Sequence, residues 1–390
     1  MTPALLITAQ SIGLVTTEAF RALADRAIGF GAKVPLNEKE VSASWLADAL
    51  GVPRTAIESV TVVDAHSGTA NRARLAVKSD THLPDSLFLK LPPRNYLQHV
   101  LMNVFRLGTK EVLAYGAFGD DPPVRTPRCY LAVEDTLRRR NVLLLEDLSA
   151  TAEFRTVVDA VTVAEAEAVV DALAGLHARF WNTDRFDGDL WELAQRSPAE
   201  IRLGDLIRRK FIGTITGHTA GIIPDDQKRD CRIFFERSAD IDAFWASQPR
   251  TLIHGDTHLG NLFFEEGRPG FLDWQVAMAW PGIRDIAYFV TASLEAYEAR
   301  RIERELVRRY VTRLGDHGVD TDGDHMWTLY RAAITEPWLA FVCTAEAGER
   351  MQSFEISRVG VERAVAAVEA HDSFTVLRSL IDAPSSIPAG

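Results

Sequence analysis

Residues 250–275 constrain the fold of this chain more than any other stretch. Two short apolar runs, Leu252–Ile253 and Leu262–Phe264, bracket a polar loop that carries His254, Asp256 and Asn261. A third run, Gly270–Leu272, delivers Asp273, and Gly267 and Pro269 mark a tight turn before it. The pattern predicts a loop followed by a β-hairpin, with a carboxylate at the end of its second strand. A buried strand end holds a carboxylate still, which suits a site better than a surface. Phosphoryl transfer asks for few protein groups in a fixed geometry. One carboxylate takes or orients the proton of the attacking hydroxyl, while an amide oxygen and a second carboxylate hold Mg²⁺ against the phosphates. Asp256, Asn261 and Asp273 supply that set in that order. A rival reading is a metal site, because His254, Asp256 and His258 alternate and would share one face of a strand. No further His-rich cluster supports it, and it leaves Asn261 and Asp273 without a role. A polar loop between core strands is the plainest alternative.

Size and charge narrow the classes. At 390 residues the chain exceeds a usual single core, so two lobes are expected. A net charge of −11 argues against a dominant nucleic-acid surface, which needs a basic footprint. Cys129, Cys231 and Cys343 have no metal-ligand spacing and read as buried thiols in a reducing compartment. Met1–Val15 is apolar but lacks a basic start, and Glu18, Arg21 and Asp25 follow, so it does not read as a secretory signal. No apolar run approaches the length needed to cross a bilayer. The expected setting is the cytoplasm, with no membrane or nucleic-acid partner.

Along the chain, residues 1–55 read as a helical N-terminal extension. Within it, Asn37 is the expected N-cap of a helix running to Leu50, with Glu40 three residues on and Gly51 ending it. Residues 56–148 have the texture of a sheet. Ser59–Asp64, Arg72–Val77, Ser86–Leu91, Arg128–Val133 and Val142–Leu145 are expected strands, and Asn103–Phe118 an expected helix. Lys90 closes an apolar run, and period two places it on one face with Phe88. A lysine turned inward there needs an anionic partner, because burying an unpaired ammonium is costly. Residues 149–390 read as helical apart from the hairpin, with one long helix over Val161–Trp181. Another opens at Pro281 and carries Asp285 in its first turn, where a carboxylate caps free N–H groups.

The segment His254-Gly255-Asp256 with Asn261 five residues on, then a hairpin and Asp273-Trp274, resembles the catalytic loop of the protein-kinase-like superfamily. It is closest to the aminoglycoside and choline phosphotransferase branch. The spacing of the N-lobe and the long leader also resemble the ecdysteroid-kinase-like members. The resemblance implies an α+β, bilobal protein-kinase-like fold, with a small antiparallel-sheet N-lobe (56–148) and a mainly helical C-lobe (149–390), nucleotide lying between them. It implies an ATP-dependent phosphotransferase that moves the γ-phosphate to a hydroxyl of a small molecule, with Mg²⁺ as cofactor. In that role Asp256 is the catalytic base and Asn261 and Asp273 are the metal ligands. Lys90, held by Glu111, orients the α/β-phosphates. Ser67, Gly68 and Thr69 form the loop above the phosphates, although the Gly-x-Gly-x-x-Gly of protein kinases is missing. Backbone groups around Glu146 and Leu148 meet the adenine edge. His254 and Asp285 support the loop. Gly255 stands where protein kinases carry an arginine, and the run from Asp273 to Pro281 is short. Both features argue against control by activation-loop phosphorylation and for a small acceptor. Glu336, Trp338, Phe341, Glu346 and Glu349 interleave acids, which suit an amine-bearing sugar or a quaternary ammonium, with aromatics, which suit the latter or an apolar ligand; core plus a solvated face is the plain alternative. The competing class is a nucleotide-binding pseudokinase that acts by association.

Overall fold

The computed structural model describes residues 3–29, 33–67, 70–80, 82–213, 215, 217, 219–348 and 353–383. Two compact units divide the chain. The first comprises Met1–Ala152, Gln195–Leu203 and Leu272–Val276, and the second Glu153–Ala194, Gly204–Phe271 and Ala277–Gly390. Residues 1–55 thus cluster with the sheet, and the pentapeptide that carries Asp273 belongs to the first unit although its neighbours in sequence do not.

The first unit opens with helices α1 (Pro3–Ile28) and α2 (Ala43–Leu50). Strands β1 (Ile57–Ser67), β2 (Asn71–Ser79), β3 (Ser86–Leu91), β4 (Cys129–Asp135) and β5 (Arg140–Glu146) form an antiparallel sheet in the order β1-β2-β3-β5-β4. On β2 the residues Ala73, Leu75 and Val77 are buried and alternate with more open positions. Leu87, Leu89 and Leu91 of β3 join them against Leu46 and Ala47 of α2 in one core. Side chains alternate along a strand, so Lys90 must leave by the opposite face from Leu89 and Leu91.

Two expected helices are corrected. Asn37 caps only a short 3-10 turn at Glu38–Glu40, and α2 begins after Ser42, whose hydroxyl accepts from the Trp45 N–H at 3.1 Å. Gly51 ends it with φ of 66°. The stretch expected as one helix from Asn103 is two, α3 (Tyr96–Val104) and α4 (Leu107–Phe118). The break falls at Arg106, whose φ is 53° and whose guanidinium donates to Glu200 at 2.9 Å and to the Gln195 carbonyl at 2.7 Å. Those tertiary bonds override the local helical pattern.

The leader is fastened to the sheet by buried polar contacts. Arg140 on β5 donates to Asp25 at 2.6 Å and to the Val34 carbonyl at 2.9 Å, and Arg140 is 2 % exposed. Asn71 at the start of β2 donates to Glu38 at 2.8 Å, and Arg94 also holds that carboxylate. Buried charges persist only when paired in this way.

In the second unit, β6 (Glu153–Phe154) precedes the long helix α5 (Val163–Arg179), which starts with a capping box between Thr162 and Glu165. Strand β7 (Thr251–Ile253) leads into the polar loop. The hairpin follows as β8 (Leu262–Glu265) and β9 (Arg268–Phe271), with β6 on the free edge of β8 and β10 (Met278–Trp280) paired to β7. Glu266 and Gly267 make the turn with φ of 51° and 77°. Pro269 is therefore not in the turn; it lies within β9, opposite Phe264. Gly270 faces Phe263 across the pair, and a Cβ there would sit 2.1 Å from the ring. Beyond the hairpin, helices Ile283–Ser293, Ala296–Asp316, Gly323–Ala333, Thr335–Ala347, Phe354–His371 and Ser373–Asp382 pack around Phe289, Tyr310, Tyr330 and Trp338, all fully buried. Among the described residues, no helix is long and apolar enough to cross a membrane.

Candidate active site

In the first unit the side chain of Lys90 finds two carboxylates. Its Nζ lies 2.8 Å from both oxygens of Glu111 on α4 and 2.8 Å from Asp273 Oδ1. Lys90 is 3 % and Glu111 1 % exposed. Removing one partner of so buried a pair costs about 3–5 kcal/mol, because the other charge is stranded. Burial pushes the Glu111 carboxyl above its ordinary range; the Asp273 charge adds to this and the Lys90 ammonium opposes it. Asp273 follows β9 with φ of 59°, a left-handed conformation that Asp adopts more readily than most residues. Trp274, next in sequence, is fully buried and meets Phe118 of α4 edge-on, with ring centroids 4.7 Å apart. That contact fixes Asp273 beside the helix of Glu111. The second Asp273 oxygen takes Arg72 Nη2 from β2 at 3.0 Å. Arg72 is more open, so this last pair contributes only ~0–1 kcal/mol.

In the second unit the polar loop is built around Asp285. Its two carboxylate oxygens accept the backbone N–H groups of His254 at 2.6 Å and Gly255 at 2.9 Å. The Asp285 side chain thus ties the amides of the loop it was expected to support. His177 Nε2 adds a contact at 3.3 Å, and Tyr310 meets His177 Nδ1 at 2.9 Å. Because the carboxylate only accepts, Nε2 carries a proton. Burial raises the Asp285 carboxyl, and the His177 hydrogen bond and charge, with the loop amides, outweigh it and bring it below the carboxylate range. Gly255 has φ of 87°, a conformation that disfavours any side chain, and its carbonyl accepts from Arg284 Nη1 at 2.8 Å.

Asp256 leaves this brace with its side chain 32 % exposed. Asn261 closes the 3-10 turn Leu259–Asn261, and its Nδ2 donates to the Asp256 carbonyl and to Asp256 Oδ2, both at 2.9 Å. With the amide nitrogen committed to these two acceptors, Oδ1 is the Asn261 side-chain atom that can itself accept. His258 Nδ1 accepts from the Gly260 N–H at 3.0 Å and Nε2 lies 3.4 Å from Asp256 Oδ2. Burial alone would raise the Asp256 carboxyl. The His258 charge, hydrogen bonds from His258 and Tyr288, and the His254 charge bring it well below the usual range. Burial and the Asp256 charge in turn push the Tyr288 hydroxyl far up, so it remains a donor.

His254, Asp256 and His258 lie in the loop and not on a strand, which removes the shared face that a metal cage needed. Among the described residues, no three His, Cys, Asp or Glu side chains cluster as a metal site. The Asp273 carboxylate in the first unit and the Asn261 amide in the second are each, taken singly, an oxygen donor of the hard type that Mg²⁺ accepts.

Of the remaining positions, Gly68 and Thr69 lie outside the described residues, and Ser67 ends β1. The Glu146 carboxylate accepts from Arg125 at 2.8 Å and from the Arg128 N–H at 3.0 Å. The Leu148 carbonyl accepts the N–H groups of Thr151 and Ala152. Among the acceptor-side candidates, Trp338 and Phe341 are core residues, and Glu346 is held by Thr219. Glu336 meets Arg284 at 3.4 Å, and Glu349 lies outside the described residues. Sequence reasoning missed Tyr288, Arg284 and Arg72. Tyr288 stands three residues after Asp285 on one helix, hence on the same face, and that spacing was the available signal. Nothing local marks Arg72.

Comparison with known proteins places the chain. The pattern that defines the phosphotransferase enzyme family matches residues 61–321. No curated protein matches the sequence. Similar solved structures include a choline/ethanolamine kinase family protein from Mesorhizobium loti, at 13% identity and TM-score 0.45, covering 83% of this chain and 93% of that one. A choline kinase from Streptococcus pneumoniae has 13% identity and TM-score 0.45, covering 80% and 94%. A macrolide 2'-phosphotransferase from Brachybacterium faecium has 14% identity and TM-score 0.42, covering 77% and 91%. The fold is α+β, with a five-stranded antiparallel sheet and a mainly helical remainder. With two thirds of its length matched, the chain belongs to the phosphotransferase enzyme family.

Proposed function

We propose that the phosphoryl donor is ATP with Mg²⁺ and that the acceptor is a hydroxyl group of a small molecule. The observation that carries this reading is the Lys90 ammonium, buried on the sheet and held between Glu111 and Asp273 at 2.8 Å each. An ion so placed is fixed in position, which is what orienting an α/β-diphosphate requires. Asp273 and the Oδ1 of Asn261 are the oxygens that would hold Mg²⁺, whose bound charge neutralises the phosphates as the terminal bond breaks. Asp256 takes the proton of the acceptor hydroxyl. Its depressed pKa keeps it ionised, and Asn261, His258 and Tyr288 aim it. Phosphoryl transfer through a loose transition state asks more of that aim than of base strength.

Backbone groups at Glu146 and Leu148 are the proposed adenine contacts. With the Leu148 carbonyl used inside its own turn, the hinge there offers an N–H donor. Ser67, Gly68 and Thr69 remain the proposed phosphate loop. The long leader supports a place near the ecdysteroid-kinase-like branch, and the three thiols, which burial pushes up to about 12, fit a reducing cytoplasm. No membrane or nucleic-acid partner enters this reading. Asp273→Ala tests the nucleotide half. Mg-ATP should stabilise the wild type against heat by mass action and leave the variant close to its unliganded Tm. Equal stabilisation of both would remove Asp273 from the site.

A further inference from the structure

Arg72 is the one cation at the Lys90 cluster to which the phosphotransfer roles above assign nothing. It lies on β2 directly opposite Lys90 on β3. Its backbone is well anchored, because the preceding Asn71 is 1 % exposed and bonded to Glu38, itself held by Arg94. The side chain is not anchored in the same way. It is 43 % exposed, and the charge its tip meets is Asp273 Oδ2 at 3.0 Å.

This geometry gives the cluster two cations of different standing. Lys90 is enclosed and bound to Glu111 through both carboxylate oxygens. Arg72 is open, long and attached to a single carboxylate oxygen. The charges of Lys90 and Arg72 balance those of Glu111 and Asp273, so the set is neutral by itself. A divalent cation that takes an Asp273 oxygen competes with both Lys90 and Arg72 for that carboxylate. The more weakly held partner yields first, and that is Arg72. The phosphates that accompany the metal then offer a freed guanidinium a better partner. A planar fork of N–H donors suits phosphate oxygens.

We propose that Arg72 is a nucleotide-phosphate ligand that exchanges partners, neutralising Asp273 before Mg-nucleotide binds and contacting the phosphates afterwards. The proposal rests on the reading of Lys90 and Asp273 as the nucleotide half of the site. It assigns Arg72 to the phosphates alone, so the nucleoside should not sense its loss.

The test compares the full-length wild type with Arg72→Ala, measuring dissociation constants for Mg-ATP and for adenosine by calorimetry. A charge-assisted hydrogen bond lost to a phosphate predicts Mg-ATP binding weakened by about 10- to 100-fold. Adenosine affinity should change by less than about twofold, within the spread of a lost surface pair. Arg72→Lys should recover part of the Mg-ATP affinity, because a point charge still meets phosphate. Arg72→Gln keeps the length without the charge and serves if the alanine variant does not fold. Mg-ATP affinity unchanged in a folded neutral variant overturns the proposal while leaving the site intact. Equal losses for Mg-ATP and adenosine overturn it in favour of a purely structural role. Failure of the wild type itself to bind Mg-ATP overturns the underlying reading and the proposal with it.

Discussion

The Asp256 carboxylate is set by neighbours from its own loop and from the next helix. Asn261 follows within the same loop, His258 sits between them, and Tyr288 arrives from the next helix. Positioned general bases contribute roughly 10²–10⁴ in rate. Asp256→Asn should therefore still fold and lose about that factor in kcat, measured as acceptor-dependent ADP formation. Tyr288→Phe removes one charge-assisted hydrogen bond and leaves the carboxylate in place. A fall in kcat of about 10- to 100-fold with little change in the KM for ATP is the expected result. A fall in affinity with kcat preserved would contradict the positioning role. At this scale the sequence displayed the residue types and their spacing, from His254 through Asp273. It did not display Arg72 beside Asp273, because partners 201 residues apart leave no periodic trace.

At the scale of elements, local rules located strands and helices well and their ends less well. The β-hairpin was legible from its three apolar runs, but Pro269 drew the turn two residues too far, since a strand also tolerates proline where its missing N–H is not needed. Asn37 carried an N-cap signal that tertiary contacts used for a 3-10 turn, leaving Ser42 to start α2. The helix break at Arg106 was illegible because the bonds that hold it come from residues 195–200. The leader gave the least warning of its fastening, which depends on single buried pairs such as Glu38 with Asn71 and Arg94. Burial would raise the Glu38 carboxyl, yet hydrogen bonds from Arg94 and Asn71 bring it from 4.5 down to about 2. A carboxyl depressed by folding adds stability that is full above its unfolded pKa and is lost as pH falls through the folded one. Glu38→Gln should therefore lower Tm at pH 7, and the gap to wild type should close between pH 4.5 and about 2. A gap that is constant across that window would show that the ionised form contributes nothing. Asp285→Ala should act on the loop itself. It strands two backbone donors at about 1–3 kcal/mol each, so both Tm and kcat should fall.

The chain changes unit between Phe271 and Leu272, so Asp256 and Asn261 belong to one unit and Lys90, Glu111 and Asp273 to the other. The family match over residues 61–321 makes it a member of the phosphotransferase enzyme family and gives no support to the alternative of an inactive scaffold. Acceptor identity was the least legible property. The aromatics that suggested a ligand wall, Trp338 and Phe341, turn out to be core, and among the described acidic candidates Glu346 is tied to a loop. That leaves Glu336, which faces Arg284. The central claim is acceptor-dependent phosphoryl transfer carried by Asp256. Its most direct test is ADP release from Mg-ATP by the purified protein, across a panel of hydroxyl-bearing amines, sugars and alcohols, beside Asp256→Asn. The account predicts release that depends on at least one acceptor and falls by about 10²–10⁴ in the variant. Release that no acceptor stimulates, or that proceeds equally in both proteins, would contradict it.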